Sequence, residues 1–110
     1  MTSIDVREAD GGVVLAPAGR LTVVTAPQLR TVVAERVSGG DKIIVVDLSG
    51  VEFVDSSGLG VLVSCLKSAR QAGGDLRIVS PTDPVSMVLR ITNLDRILQP
   101  RASVADALRD

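Results

Sequence analysis

A chain of 110 residues holds one domain, and 45% of its residues are apolar, so a single core can form without disulfide or metal staples. Phe53 is the sole aromatic and Cys65 the sole cysteine, which excludes a base-stacking nucleic-acid platform and an intramolecular disulfide. Charge is balanced at 12 basic against 13 acidic residues, with neither a basic run for a phosphate backbone nor an apolar run near the ~20 residues a membrane-spanning helix needs.

In chain order, Met1-Thr2-Ser3-Ile4-Asp5 lacks the charged flank and apolar stretch of a signal peptide, so the expected location is cytoplasmic. Ile4 and Val6 alternate with polar neighbours, Gly11-Gly12 makes a turn, and Val13-Val14-Leu15-Ala16 runs up to Pro17 and Gly19. This predicts a hairpin whose proline sits at an edge or a strand end. Thr25-Ala26-Pro27 is a helix start, with Thr25 able to cap and proline tolerated in the first turn. Leu29, Val32, Val33 and Val37 follow at helical spacing, and Gly39-Gly40 stops the helix. Ile43-Ile44-Val45-Val46 is short, β-branched and unalternating, which suits a strand covered on both faces. Leu59, Leu62, Val63, Leu66 and Ala69 mark a second helix ending at Gly73-Gly74, and Leu76 and Ile78 a third strand of the buried kind. Asp83-Pro84 opens a third helix with Val85, Val88 and Leu89 on one face, ending near Asn93. Ile97-Leu98 is expected to be a last short strand, and Ser103 to Asp106 resembles a capping box for a final helix through Leu108.

Strands alternating with helices predict an α/β fold: one domain over residues 1–110, with a mixed, mostly parallel sheet of roughly four to five strands and about four helices. The balanced surface suits a monomer in isolation, although an exposed strand edge is able to pair with another chain.

The informative stretch runs from Asp47 to Gly60: a buried strand ends at Asp47, a helix begins near Ser56, and Asp55, Ser56, Ser57, Gly58 and Gly60 cluster at the junction. Three readings fit. Asp55 and Ser56 are preferred helix-start residues, and capping alone explains them. Glycines at a helix N-terminus can instead bare amides to an anion, although the Lys-Ser or Lys-Thr of a nucleotide-binding loop is absent. Finally, one of the hydroxyls can itself be a modification site.

The segment Asp55-Ser56-Ser57-Gly58-Leu59-Gly60 resembles the signature of bacterial anti-sigma factor antagonists, the founding members of the STAS domain. Gly19-Arg20-Leu21 with Thr25-Ala26-Pro27, Gly73-Gly74-Asp75-Leu76, and Thr92-Asn93-Leu94-Asp95 follow in the family's order and spacing, so the resemblance covers essentially the whole chain. It implies a single STAS-type domain that binds an anti-sigma factor/serine kinase when unphosphorylated and so frees a sigma factor. Phosphorylation of Ser56, with Ser57 as the alternative, switches the antagonist off, and a serine phosphatase resets it.

The resemblance places Thr22, Asp55, Ser56, Ser57, Gly58, Leu59 and Gly60 at the partner-binding surface. Asp55 either caps the helix and orients Ser56 or helps position the hydroxyl on the kinase. Gly58 and Gly60 admit either the partner backbone or the chain's own packing, and Leu59 is either core or an exposed anchor. Cys65 reads as a small buried apolar residue. Thr22 departs from the family, where many members carry aspartate; threonine removes a charge there, and its hydrogen bonding can partly substitute.

Enzymatic function is not expected: without histidine or tyrosine the usual general bases are missing, and no Cys, His and carboxylate cluster resembles a metal site. No catalytic residue, metal or cofactor is therefore assigned, nor a nucleic-acid or membrane partner. The alternative function within the same fold is a STAS subunit or regulator of a transporter or nucleotide-responsive complex, without a phosphorylation switch.

Overall fold

The computed structural model describes residues 4–109. Its elements are β1 (Ile4–Ala9), β2 (Gly12–Pro17), β3 (Gly19–Leu21), α1 (Ala26–Ser38), β4 (Ile43–Asp47) and β5 (Val51–Val54). They continue as α2 (Ser56–Gln71), β6 (Asp75–Val79), α3 (Asp83–Ile91), a 3₁₀ turn (Leu94–Arg96) and α4 (Val104–Leu108).

The expected hairpin is present, with β1 antiparallel to β2 from Ile4 opposite Pro17 to Ala9 opposite Gly12. Gly11 makes the turn at φ +90°, a conformation that side-chain-bearing residues resist. Pro17 is the last residue of β2, where its missing N–H is harmless. Next to β2 lies β4, and next to β4 lies β6, both pairs parallel, giving the order β1-β2-β4-β6. This is the mixed, mostly parallel sheet that alternating strands and helices predict.

The unalternating run in β4 has a direct cause. Ile44, Val45 and Val46 all have zero exposure because successive side chains enter opposite layers. Ile44 and Val46 join Val13, Leu15, Leu76 and Ile78 in the main core, which α1 and α2 cover. Val45 joins Val14, Val79 and Ala107 in a smaller core beneath α4. From α1 come buried Leu29 and Val33, and from α2 buried Leu59, Leu62, Cys65, Leu66 and Ala69. Each fully buried leucine contributes roughly 1.5–3 kcal/mol.

At the far face, Arg77 Nη1 donates to the carbonyls of Ala107 and Arg109 at 2.8 and 3.0 Å, satisfying acceptors that the end of α4 leaves open. Ser103 Oγ accepts from the Asp106 amide at 3.1 Å, as a cap should. Asn93 takes φ +61° just past α3, the left-handed geometry expected of it.

Some expectations are corrected. Ile97-Leu98 is not a strand. The Leu98 amide bonds back to the Leu94 carbonyl at 2.7 Å, and its side chain is buried while Ile97 is 49% exposed. Two apolar residues can be accommodated by a turn as well as by a ladder. The bridge to β6 forms instead at Arg101, opposite Val79.

Thr25 sits at the helix start but does not cap it. Its backbone is already helical (φ −103°, ψ −26°), and capping requires an extended residue. Its Oγ1 accepts from the Thr22 amide and donates to the Arg20 carbonyl instead.

Finally, β3 and β5 pair in parallel as a separate two-stranded sheet that the sequence pattern does not reveal. In β5 the buried residues are Val51 and Val54, with Glu52 and Phe53 exposed between them, so the period of two is broken.

Candidate partner-binding surface

The β3–β5 pair builds the site. Pairing Leu21 with Val54 brings the end of β3 beside the residue that starts α2. Asp55 lies there in an extended conformation (φ −102°, ψ −175°), so its carboxylate can turn back over the helix end. Oδ1 accepts the Gly58 amide at 2.9 Å, Oδ2 accepts the Val23 amide at 3.3 Å, and the Asp55 amide donates to the Leu21 carbonyl at 3.2 Å. One carboxylate therefore caps α2 and fastens the 22–25 turn to it.

That turn is closed by hydroxyls. Thr22 Oγ1 accepts from the Val24 amide at 3.3 Å, and the Thr22 carbonyl accepts from the Thr25 and Ala26 amides at 3.1 and 2.7 Å. An aspartate at position 22 could accept from the same amide, two residues on, so the threonine keeps the hydrogen bond and removes the charge. The turn pushes Val23 and Val24 outward, 66% and 80% exposed.

Of the site residues expected from sequence, Ser56 is the first residue of α2 and is exposed, while Ser57 is half-buried. Ser57 lines a groove of about 380 Å³ between the N-terminal turns of α1 and α2, with Val23, Pro27, Arg30, Gly60 and Val61. Thr22, Asp55, Ser56, Ser57 and Gly60 are thus brought to one region.

Gly58 and Leu59 are withdrawn from the surface. A Cβ on Gly58 would lie 2.4 Å from the Leu21 carbonyl oxygen and 2.6 Å from a Val54 methyl, so this glycine lets the chain pack against itself. Leu59 is 6% exposed and belongs to the core. A Cβ on Gly60 would meet nothing within 4 Å, which leaves open space above the helix at that point. Sequence reasoning missed Val23, Val24, Pro27 and Arg30. The available signal was two adjacent valines inside a polar turn, outside any strand or helix period.

Cys65 is buried in α2, and that burial pushes its thiol up to about 11 despite the opposing influence of Arg30. At such a value it is a packed apolar group and a poor nucleophile. Among the described residues no group of His, Cys, Asp and Glu is placed to hold a metal, and no helix is long and apolar enough to cross a membrane.

The sequence profile of the STAS domain matches residues 3–107. The chain belongs to the STAS domain family. Among STAS proteins it is similar to a candidate anti-sigma factor antagonist of Thermotoga maritima, 38% identical over 103 residues that span 92% of this chain and 90% of that protein. The anti-sigma-B factor antagonist of Staphylococcus aureus is 34% identical over 80 residues, covering 73% of this chain and 74% of its own. In three dimensions, the crystal structure of a candidate antagonist from Thermotoga maritima superposes with a TM-score of 0.87 at 35% identity, covering 96% of this chain and 91% of that one. By homology, then, this STAS domain falls with the anti-sigma factor antagonists, and the four α-helices and mixed sheet of the described residues follow the same plan.

Proposed function

We propose that this protein is an anti-sigma factor antagonist with a regulatory, non-catalytic role. In its unphosphorylated form it binds an anti-sigma factor that is also a serine kinase, through the 22–25 turn and the N-terminal turn of α2, and thereby frees a sigma factor. Phosphorylation of Ser56 ends that binding, and a serine phosphatase restores it. The observation that carries this reading is the placement of Ser56: an exposed hydroxyl at the start of a capped helix, on a surface with two outward-facing valines. Ser57 is the less accessible alternative because part of it is covered in the groove.

The physics of the switch follows from position. A phosphate adds about −1.5 to −2 charges and three acceptor oxygens. At the N-terminus of α2 the helix dipole favours that charge, so the fold tolerates it. The penalty falls on the complex, where a dianion is desolvated against a surface built for a hydroxyl. About 4 kcal/mol of such penalty weakens binding roughly a thousandfold. Release then needs no change in the antagonist's own shape.

The test is phosphopeptide mass spectrometry on protein recovered from its own cells, with and without phosphatase treatment. Phosphate on Ser56 is the expected result, and the Ser56→Glu variant should lose the partner captured by the native chain. Modification of Ser57 alone would move the site by one residue. If neither serine carries phosphate, or if Ser56→Glu binds as tightly as the native protein, the switch is refuted.

A further inference from the structure

We propose that a cavity at the outer edge of β6 binds a small phosphate-class oxyanion. The cavity holds about 210 Å³, below the roughly 300 Å³ at which drug-sized pockets begin, and Arg70, Arg77, Arg96 and Arg101 line it. In a chain of net charge −1, four arginines around one small cavity are a marked local excess.

Asp75 is the one acidic residue in the lining, and its carboxylate is already engaged. It accepts from Arg70 Nε at 3.0 Å, Arg77 Nε at 3.2 Å and the Leu76 amide at 2.9 Å. Arg77 also gives Nη1 to the end of α4. Arg96 and Arg101, by contrast, have no ion pair or hydrogen bond from their side chains among the described residues.

Two arginines are thus committed to Asp75, and two uncommitted ones line the same cavity. Guanidinium groups present paired N–H donors that match phosphate oxygens in planar, bidentate fashion. Four positive charges line the cavity against the single carboxylate of Asp75, so an entering anion meets a net positive field. The cavity's size suits inorganic phosphate, pyrophosphate or the phosphate end of a small metabolite. The site is independent of the proposed partner surface: Arg70 and Ser56 lie at opposite ends of α2, about 21 Å apart at 1.5 Å per residue.

The test is a titration of ¹⁵N-labelled full chain with sodium phosphate and, separately, pyrophosphate, at ionic strength held constant with sodium chloride. Saturable shifts should centre on Arg77 and on residues 96–101, with pyrophosphate bound at least tenfold more tightly because it can engage more of the arginines. The double variant Arg96→Gln/Arg101→Gln should weaken both anions at least tenfold with an unchanged urea midpoint, since Arg101 supports the fold through its backbone amide. Shifts that chloride reproduces, or a double variant that binds as well as the native chain, would overturn the proposal. So would sedimentation with phosphatidic-acid vesicles unaccompanied by saturable binding of the free anions.

Discussion

Substituting alanine at Gly58 and at Gly60 should change stability in opposite directions, although both are glycines in the first two turns of the same helix. At Gly58 the new methyl would sit 2.4 Å from the Leu21 carbonyl oxygen and 3.2 Å from its carbon. That carbonyl is not free to move, because it accepts the Asp55 amide and belongs to the strand that aligns the site. Overpacking of this kind costs about 1–3 kcal/mol, and a fixed backbone atom puts it at the upper end. Alanine recovers at most about 1 kcal/mol of helix propensity. The net expectation is therefore a loss of about 2 kcal/mol for Gly58→Ala. At Gly60 the methyl meets nothing, so only propensity acts and the variant gains roughly 0.5–1 kcal/mol. Urea unfolding of the three proteins, fitted with a common m-value, measures both. If Gly58→Ala proves as stable as the native chain, the packing of α2 on β3 is looser than described, and the account of Gly58 is wrong.

Other expectations rest on different parts of the molecule. Asp55→Ala removes the cap of α2 and the tie to Val23, and should cost about 1–2 kcal/mol while accelerating amide exchange at both Val23 and Gly58. Thr22→Asp keeps an acceptor for the Val24 amide, so its unfolding free energy in urea should shift by no more than about 0.5 kcal/mol. Burial tends to raise the Asp75 carboxyl, but hydrogen bonds from Arg70, the Leu76 amide and Arg77 outweigh it and hold the group below the ordinary 3.8. The resulting stability is present above pH 3.8 and is lost as pH falls through the lowered native value, so the gap between native and Asp75→Asn in acid titrations should narrow below about pH 4. Cys65 should react with a disulfide reagent at pH 8 only at the rate of unfolding, because the thiol is covered and pushed up to about 11; fast labelling of the native chain would contradict its burial.

Much of this architecture was legible in residue order because its signals are local. Gly11-Gly12 in the hairpin, proline in the first turns of α1 and α3, and glycines after α1 and α2 punctuate the chain where backbone geometry demands it. The buried run of β4 could be recognised from its lack of alternation. What escaped were features that exist only through pairing across long separations. Three residues at Gly19–Leu21 and four at Val51–Val54 become strands because they find one another, and neither carries a period of its own. The site divides in the same way. Asp55 as a cap followed from residue type and position, whereas its second bond to Val23, 32 residues away, required the fold. Gly58 and Gly60 look alike in sequence and differ only in what lies above them.

The 22–25 turn separates folding from surface chemistry at two adjacent positions. Val23 and Val24 hold the turn through their backbone amides, one to Asp55 and one to Thr22, while their side chains stay largely in solvent. Any residue except proline can supply those amides. Substitutions at this dipeptide should therefore leave the urea midpoint of the domain nearly unchanged while altering the apolar surface it shows to solvent. Side-chain identity and backbone support are uncoupled at these two positions, so the surface can change while the scaffold beneath it stays the same.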